Sequence, residues 1–215
     1  MNLKHSGFLW LLFPALVGYL GFASPAAAQQ AKSDTAEECN LSADELEIYS
    51  ATIDELLFQG PDPAARAILR ERTSIGYPPG MASMKNTKTG EKELLGSVRM
   101  DTRIDFDARN KLPCTLEPHI EPVKRVQLVG AGDEFLSFPR GSGSWKAFYR
   151  KYPGATGFTV LSRIGFNPAK DQALVYLGNS CELLCGHGYL ALLKKHKGKW
   201  SVVKSAKIWI AAEDS

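Results

Sequence analysis

The stretch "GYLALLKKHKGKWSVVKSAKIWIA", residues 188–211, reads as two β-rich runs joined by a tight turn. Gly188–Lys195 and Lys199–Ala211 are rich in branched and aromatic residues, and Lys197-Gly198 between them is a turn signal of the hairpin type. Working back along the chain, "QALVYLG" from Gln172 and "FTVLSRIGF" from Phe158 are two more such runs, connected by the turn-like "NPAKD". Four runs with short connectors predict a carboxy-terminal meander of four antiparallel strands, because only antiparallel neighbours can be joined by so few residues. Within the last run, Trp200, Val202, Ile208 and Ile210 fit one side of a strand that is interrupted or bulged near Ser205.

Helical periodicity enters further upstream. In "LSADELEIYSATIDELLF", Ser42 followed three residues later by Glu45 is a capping-box signature, and Leu46, Tyr49, Ile53, Leu56 and Leu57 then fall on one face. Gly60, Pro61 and Pro63 predict a stop near Gln59. A strand is expected within Ala64–Ile75, a loop over residues 76–93 ("GYPPGMASMKNTKTGEKE"), a short helix around Thr102–Asn110 and a strand over Val123–Val129. "GSWKAFYRKYPG" predicts another short helix, with Ser144 as its cap and Pro153-Gly154 as its stop. The fold class that follows is α+β, an amino-terminal amphipathic helix and short helices packed on one face of a mainly antiparallel sheet.

The chain begins with Lys4 and His5, an apolar stretch from Phe8 to Phe22 and the small-residue run Ala26-Ala27-Ala28. That order is a secretory signal peptide, residues 1–28. Its apolar core is shorter than the roughly 20 residues of a membrane-spanning helix, so no stable span is expected after cleavage. A polar, disordered leader over 29–38 and one domain over 39–215 complete the expected organisation, in the periplasm or secreted. The signal peptide carries one Lys and no acid, so the formal charge of +3 becomes +2 in the exported chain. A balance this even, with the Lys-rich "LLKKHKGKW" broken by a turn, lacks the basic patch that nucleic-acid binding requires.

All four cysteines, Cys39, Cys114, Cys181 and Cys185, follow the leader, and an even count in an exported chain predicts disulfides. "NSCELLCGHGY" admits three readings. A thioredoxin-like centre needs Cys-x-x-Cys at a helix start, whereas the spacing here is Cys-x-x-x-Cys between strands. A zinc site would use Cys181, Cys185 and His187 and lacks a fourth ligand that the sequence can place. A clamp joins Cys181 to Cys185 across a hairpin tip and leaves Cys39 to pair with Cys114. The second loop, being long, would stabilise by about 3 to 5 kcal/mol in the chain-entropy model. The clamp is the expected reading, with no metal and no cofactor. Gly186 and Gly188 are expected to supply backbone freedom where the chain re-enters the sheet. Leu183 and Leu184 at the tip, with His187 beside them, form the candidate interaction loop.

"WKAFYRKYPGATGFTVLSRIGFN", "QALVYLGNSCELLCGHGY" and "LLKKHKGKWSVVKSAKIWI" together resemble a group of uncharacterised exported bacterial proteins. That group carries a Phe-Tyr…Tyr-Pro-Gly element, a Ser-Arg-x-Gly-Phe strand and a Cys-Gly-x-Leu-Cys-Gly hairpin loop. The resemblance covers residues 145–210 and departs at Glu182, where the pattern has glycine. It implies export and a shared domain, and no activity.

Enzyme motifs are incomplete. In "RGSGSW", Ser142 has Arg140 and Ser144 where a nucleophile elbow has glycines, so a solvated turn and helix cap accounts for the stretch. In "MDTRIDFD", Asp101, Asp105 and Asp107 are interleaved with Arg99, Arg103 and Arg109, the pattern of a salt-bridged surface. The sequence therefore favours a non-catalytic envelope domain binding a protein or a small ligand. The alternative is an envelope hydrolase drawing on Asp105, His119 and His187, which requires those residues to converge in one pocket.

Overall fold

The computed structural model of the chain describes residues 37–58, 62–74, 84–86, 88–116, 118–120, 123–130, 133, 142–182 and 185–211. Residues 1–36, which hold the expected signal peptide and most of the expected leader, and the stretch 75–83 lie outside that set. Glu37 and Glu38, expected within the disordered leader, are in a strand. Glu37–Glu38 (β1) pair in parallel with a later strand pair, Cys114–Thr115, and the Cys39 amide donates to the Thr115 carbonyl at 2.8 Å.

Helix α1 spans Ala43–Leu57 and begins with the capping box read from the sequence: the Ser42 hydroxyl accepts from the Glu45 amide, and the Glu45 carboxylate accepts from the Ser42 amide. Two orphan donors of the first turn are thereby satisfied. The helix buries Ile48, Tyr49, Thr52, Ile53 and Leu56. Its acidic first turn is seated by Lys195 Nζ on Asp44 (2.7 Å), Arg109 on Glu45 (3.1 Å) and the Trp200 amide on Glu47 (3.0 Å). The Tyr49 hydroxyl donates to the Ser162 carbonyl at 3.0 Å, and burial pushes its pKa well up.

The remaining elements follow in order: β2 (Arg66–Arg70), β3 (Met84–Asn86), α2 (Lys88–Ser97), α3 (Met100–Arg109), β4 (Cys114–Thr115), β5 (Val126–Val129), α4 (Ser142–Lys151), β6 (Ala155–Leu161), β7 (Gly165–Phe166), β8 (Gln172–Ser180), β9 (His187–His196) and β10 (Lys199–Ala211). The main sheet runs β3-β10-β9-β8-β6-β2-β5, with β7 paired to β8. From β6 through β10 every pairing is antiparallel, the expected meander; β2 is parallel to both β5 and β6, so the sheet is mixed. Lys197 and Gly198 both take positive φ, 51° and 80°, the two-residue turn that matches strand twist.

Two segments differ from expectation. Within 76–93, residues 84–86 form an edge strand and Lys88 opens α2. "KTGEKELLGS" is a weak helix by composition; burial of Leu94 and Val98 against Leu190, Leu192 and Ala206 supplies what propensity lacks. Helix α4 begins at Ser142, so Ser144 lies inside it and does not cap it.

The helices do not share one face of the sheet. Along β8, Ala173, Val175 and Leu177 pack in the cluster of α1, whereas Leu174 and Tyr176 pack with Leu94 and Val98 of the α2 region. Strand β9 alternates likewise, Ala191 and Leu193 against Leu190 and Leu192, and Ile68 and Phe158 join Phe148 of α4 and Tyr152 just after it. A strand covered on both faces reads as a continuous apolar run, which is why "ALVYL" carries no polar alternation. Strand β10 changes allegiance along its length. Val202 pairs with Leu193 but Lys204 pairs with Leu192, a bulge at Val203 that exchanges the two faces. Trp200 and Val202 therefore face α1, while Ala206, Ile208 and Trp209 join the α2 side. Irregularities at Val203 and Ile208 replace the single break expected near Ser205, so Trp200, Val202, Ile208 and Ile210 do not lie on one side.

Candidate functional site

The β8–β9 connection grows out of a cross-strand glycine pair. Gly178 is opposite Gly188, and neither has positive φ. Their lack of side chains makes room: a Cβ at Gly178 would overlap the Tyr176 hydroxyl, and one at Gly188 would overlap the Trp209 indole. Trp209 Nε1 donates to that hydroxyl at 2.9 Å, and burial raises Tyr176 to about 12. Gly188 thus provides space for a buried hydrogen bond, where backbone freedom had been expected. Beyond the pair, Asn179 is opposite His187, and its buried amide accepts from Thr159 Oγ1 (3.0 Å) and donates to the Thr156 carbonyl (3.0 Å).

At the tip, Cys181 and Cys185 are joined, with Cα atoms 5.5 Å apart. Cys181 is buried and Cys185 is exposed. The Ala211 amide donates to the Gly186 carbonyl at 2.7 Å and holds the return strand independently of the bridge. His187 Nδ1 lies 3.0 Å from the Cys185 carbonyl. A carbonyl only accepts, so Nδ1 carries the proton and Nε2 is the acceptor; Nε2 is buried without a partner. Burial lowers the His187 pKa, the Cys185 carbonyl opposes that and the Lys207 charge reinforces it, so the imidazole is neutral at pH 7. Its ring meets Tyr189 edge-on at 5.1 Å, and Lys207 Nζ lies 5.4 Å from the Tyr189 centroid.

Across the ring stands α4. Its aromatic residues, with Tyr152 just past its end, form two pairs at four-residue spacing: Phe148 and Tyr152 go into the core, while Trp145 and Tyr149, stacked at 5.9 Å, stay half-buried. The Tyr149 hydroxyl faces the backbone of Glu182, inside the ring; burial raises its pKa and the Glu182 backbone opposes that. Trp145, Tyr149, Tyr189 and Lys207 were not singled out from the sequence. The repeated spacing in "WKAFYRKY" was the available sign, since a helix with two aromatic rows needs only one for its core.

Of the expected interaction loop, Leu183 and Leu184 lie outside the described residues, and His187 is at the foot of the ring. With Cys181 and Cys185 bonded to each other, neither offers the thiolate of a zinc site. Cys39 and Cys114 are joined with Cα atoms 5.1 Å apart, both in the core beside α1.

The hydrolase residues are dispersed. Asp105 lines an open groove of about 450 Å³ with Asp101, Arg109 and Lys170. Its carboxylate is occupied, accepting from the Phe166 amide (2.8 Å) and pairing with Arg109 (3.1 Å), while Asp101 pairs with Arg99 (2.8 Å). Asp107 is exposed. Phe166 is opposite Ala173, six residues along β8 from Asn179, so Asp105 and His187 sit roughly 20 Å apart at opposite ends of that strand. His119 belongs to a turn whose neighbours Leu116 and Ile120 pack in the α1 cluster. Ser142 and Ser144 are helical, and Arg140 lies outside the described residues. Among the described residues, no cluster of His, Cys, Asp and Glu could hold a metal, and no helix is long and apolar enough to cross a membrane. No family model matches the chain, and no curated protein or solved structure matches it either.

Proposed function

We propose that the chain is an exported, non-catalytic binding domain of the cell envelope that docks a partner protein through the clamped end of its sheet. The observation that carries the reading is the surroundings of the Cys181–Cys185 ring. Tyr149, stacked on Trp145, faces the backbone of Glu182 in the ring, and the strand that leaves the ring carries His187 against Tyr189, so four half-buried rings accompany the bridge. Aromatic side chains held rigidly at the surface provide large contact area at small entropic cost, and a closed ring adds little flexibility for a partner to remove. A sheet end that exposes Glu182 and Cys185 suits a protein surface better than a small ligand, which is usually enclosed by a concave pocket. Export is supported by the leader and by two disulfides, since such bonds persist in oxidising compartments.

A photo-crosslinking residue in place of Glu182, in the chain expressed by its own host, tests both parts. The expected result is a discrete adduct in the envelope fraction on a chain whose mass begins near Gln29. It is absent when the same residue replaces Val203, and lost in Tyr149→Ala. A cytosolic chain retaining Met1, or adducts indifferent to position and to Tyr149, would overturn the reading.

A further inference from the structure

The two disulfides differ in what can reach them. Cys39 and Cys114 are 4% and 1% exposed, enclosed by the α1 cluster and flanked by the β1–β4 pairing. In the other bridge Cys181 is 8% exposed, but Cys185 is open to solvent. Thiol–disulfide exchange needs a thiolate to reach one sulfur and the other to depart, so access decides which bond reacts and at which end. The contacts that hold the surrounding strands do not pass through the ring. The ladder pairs Gly178–Gly188 and Asn179–His187, the Ala211–Gly186 hydrogen bond and the Trp209–Tyr176 hydrogen bond all lie outside the five-residue ring. Of the described residues inside the ring, Glu182 meets α4 through its backbone, which faces the Tyr149 hydroxyl.

We infer that Cys181–Cys185 is a thiol-exchange site, opened at Cys185 by an external dithiol while the domain stays folded and Cys39–Cys114 stays closed. The reactant's thiolate attacks Cys185 Sγ and forms a mixed disulfide. The Cys181–Cys185 bond breaks with its electron pair on Cys181 Sγ, which takes a proton from water. The reactant's second thiolate then attacks its own sulfur in the mixed disulfide and releases Cys185, which is protonated in turn. The domain gains two electrons and two protons, and the dithiol becomes a disulfide. This chemistry is independent of what the surface binds.

Glutathione is the probe, because an early quench traps the mixed disulfide of the first step before Cys181 or a second glutathione displaces it. The chain purified under oxidising conditions is exposed to excess glutathione at neutral pH, quenched with iodoacetamide and mapped by peptide mass while far-ultraviolet circular dichroism is followed. The expected product carries glutathione on Cys185 and an alkyl group on Cys181, with Cys39–Cys114 intact and the dichroism unchanged. It forms at least about tenfold faster than Cys39–Cys114 opens, because the buried bond waits on larger unfolding. Glutathione on Cys181, a ratio below tenfold, or an adduct that forms only as the dichroism is lost would overturn the inference.

Discussion

Gly188 shows how a single atom decides a residue's identity in this fold. A methyl group there would drive into Trp209, whose indole is held by the Tyr176 hydroxyl and has no room to retreat. Gly188→Ala is expected to cost about 1 to 3 kcal/mol, the usual range for overpacking, measured by urea denaturation. Gly186→Ala is expected to cost less, because its nearest neighbours, Ala211 and Trp209, lie 3.4 Å from the added atom. Neither cost was legible in "GHGY", where two glycines look alike and the residue that separates them is twenty-one positions downstream. Asp44 gives the second prediction at this scale. The hydrogen bond from Lys195, ahead of the opposing effect of burial, holds its pKa below the ordinary carboxylate range. A depressed folded pKa contributes stability that is fully present above the unfolded value of about 3.9 and is lost as pH falls through the folded value. Asp44→Asn should therefore lower stability at pH 7 and flatten its decline below about pH 4, read from melting curves across that interval.

Elements whose signals are local were readable, and those that depend on distant partners were not. The α1 capping box and the Lys197-Gly198 turn are complete within four residues of sequence, and both are found where they were read. Helix α2 has no such signature and exists because Leu94 meets β9 and β10. Helix α3 lies between these cases: its extent was close to expectation, but its start is fixed from another strand. Arg99 makes no side-chain cap; instead the buried Gln172 of β8 accepts from the Arg99 amide (2.8 Å) and from Thr102 Oγ1 (3.1 Å). Gln172→Ala should strand those donors and cost about 1 to 3 kcal/mol. Hydrogen exchange at the Arg99 and Thr102 amides should rise more than at α1, and equal change in both helices would reject a cap confined to α3.

For the whole molecule, two covered faces explain why the sheet tolerates a strand that trades sides at Val203, since apolar residues find a cluster in either direction. The two bridges divide their contributions by loop length. Cys39 and Cys114 are 75 positions apart and Cys181 and Cys185 are 4 apart, so the chain-entropy model assigns about 4 to 5 kcal/mol to the first and about 2 to the second. The double variants Cys39→Ala/Cys114→Ala and Cys181→Ser/Cys185→Ser should melt in that order, the first well below the second; the reverse order would refute the assignment. The first bridge also has a mechanical meaning. A chain held by its leader and pulled at its carboxy-terminal end would carry the load through the Cys39–Cys114 bond, bypassing α1, β2, α2 and α3 entirely. Those 75 positions would be hidden from tension, shortening the extension released on unfolding by roughly 250 Å relative to the reduced chain.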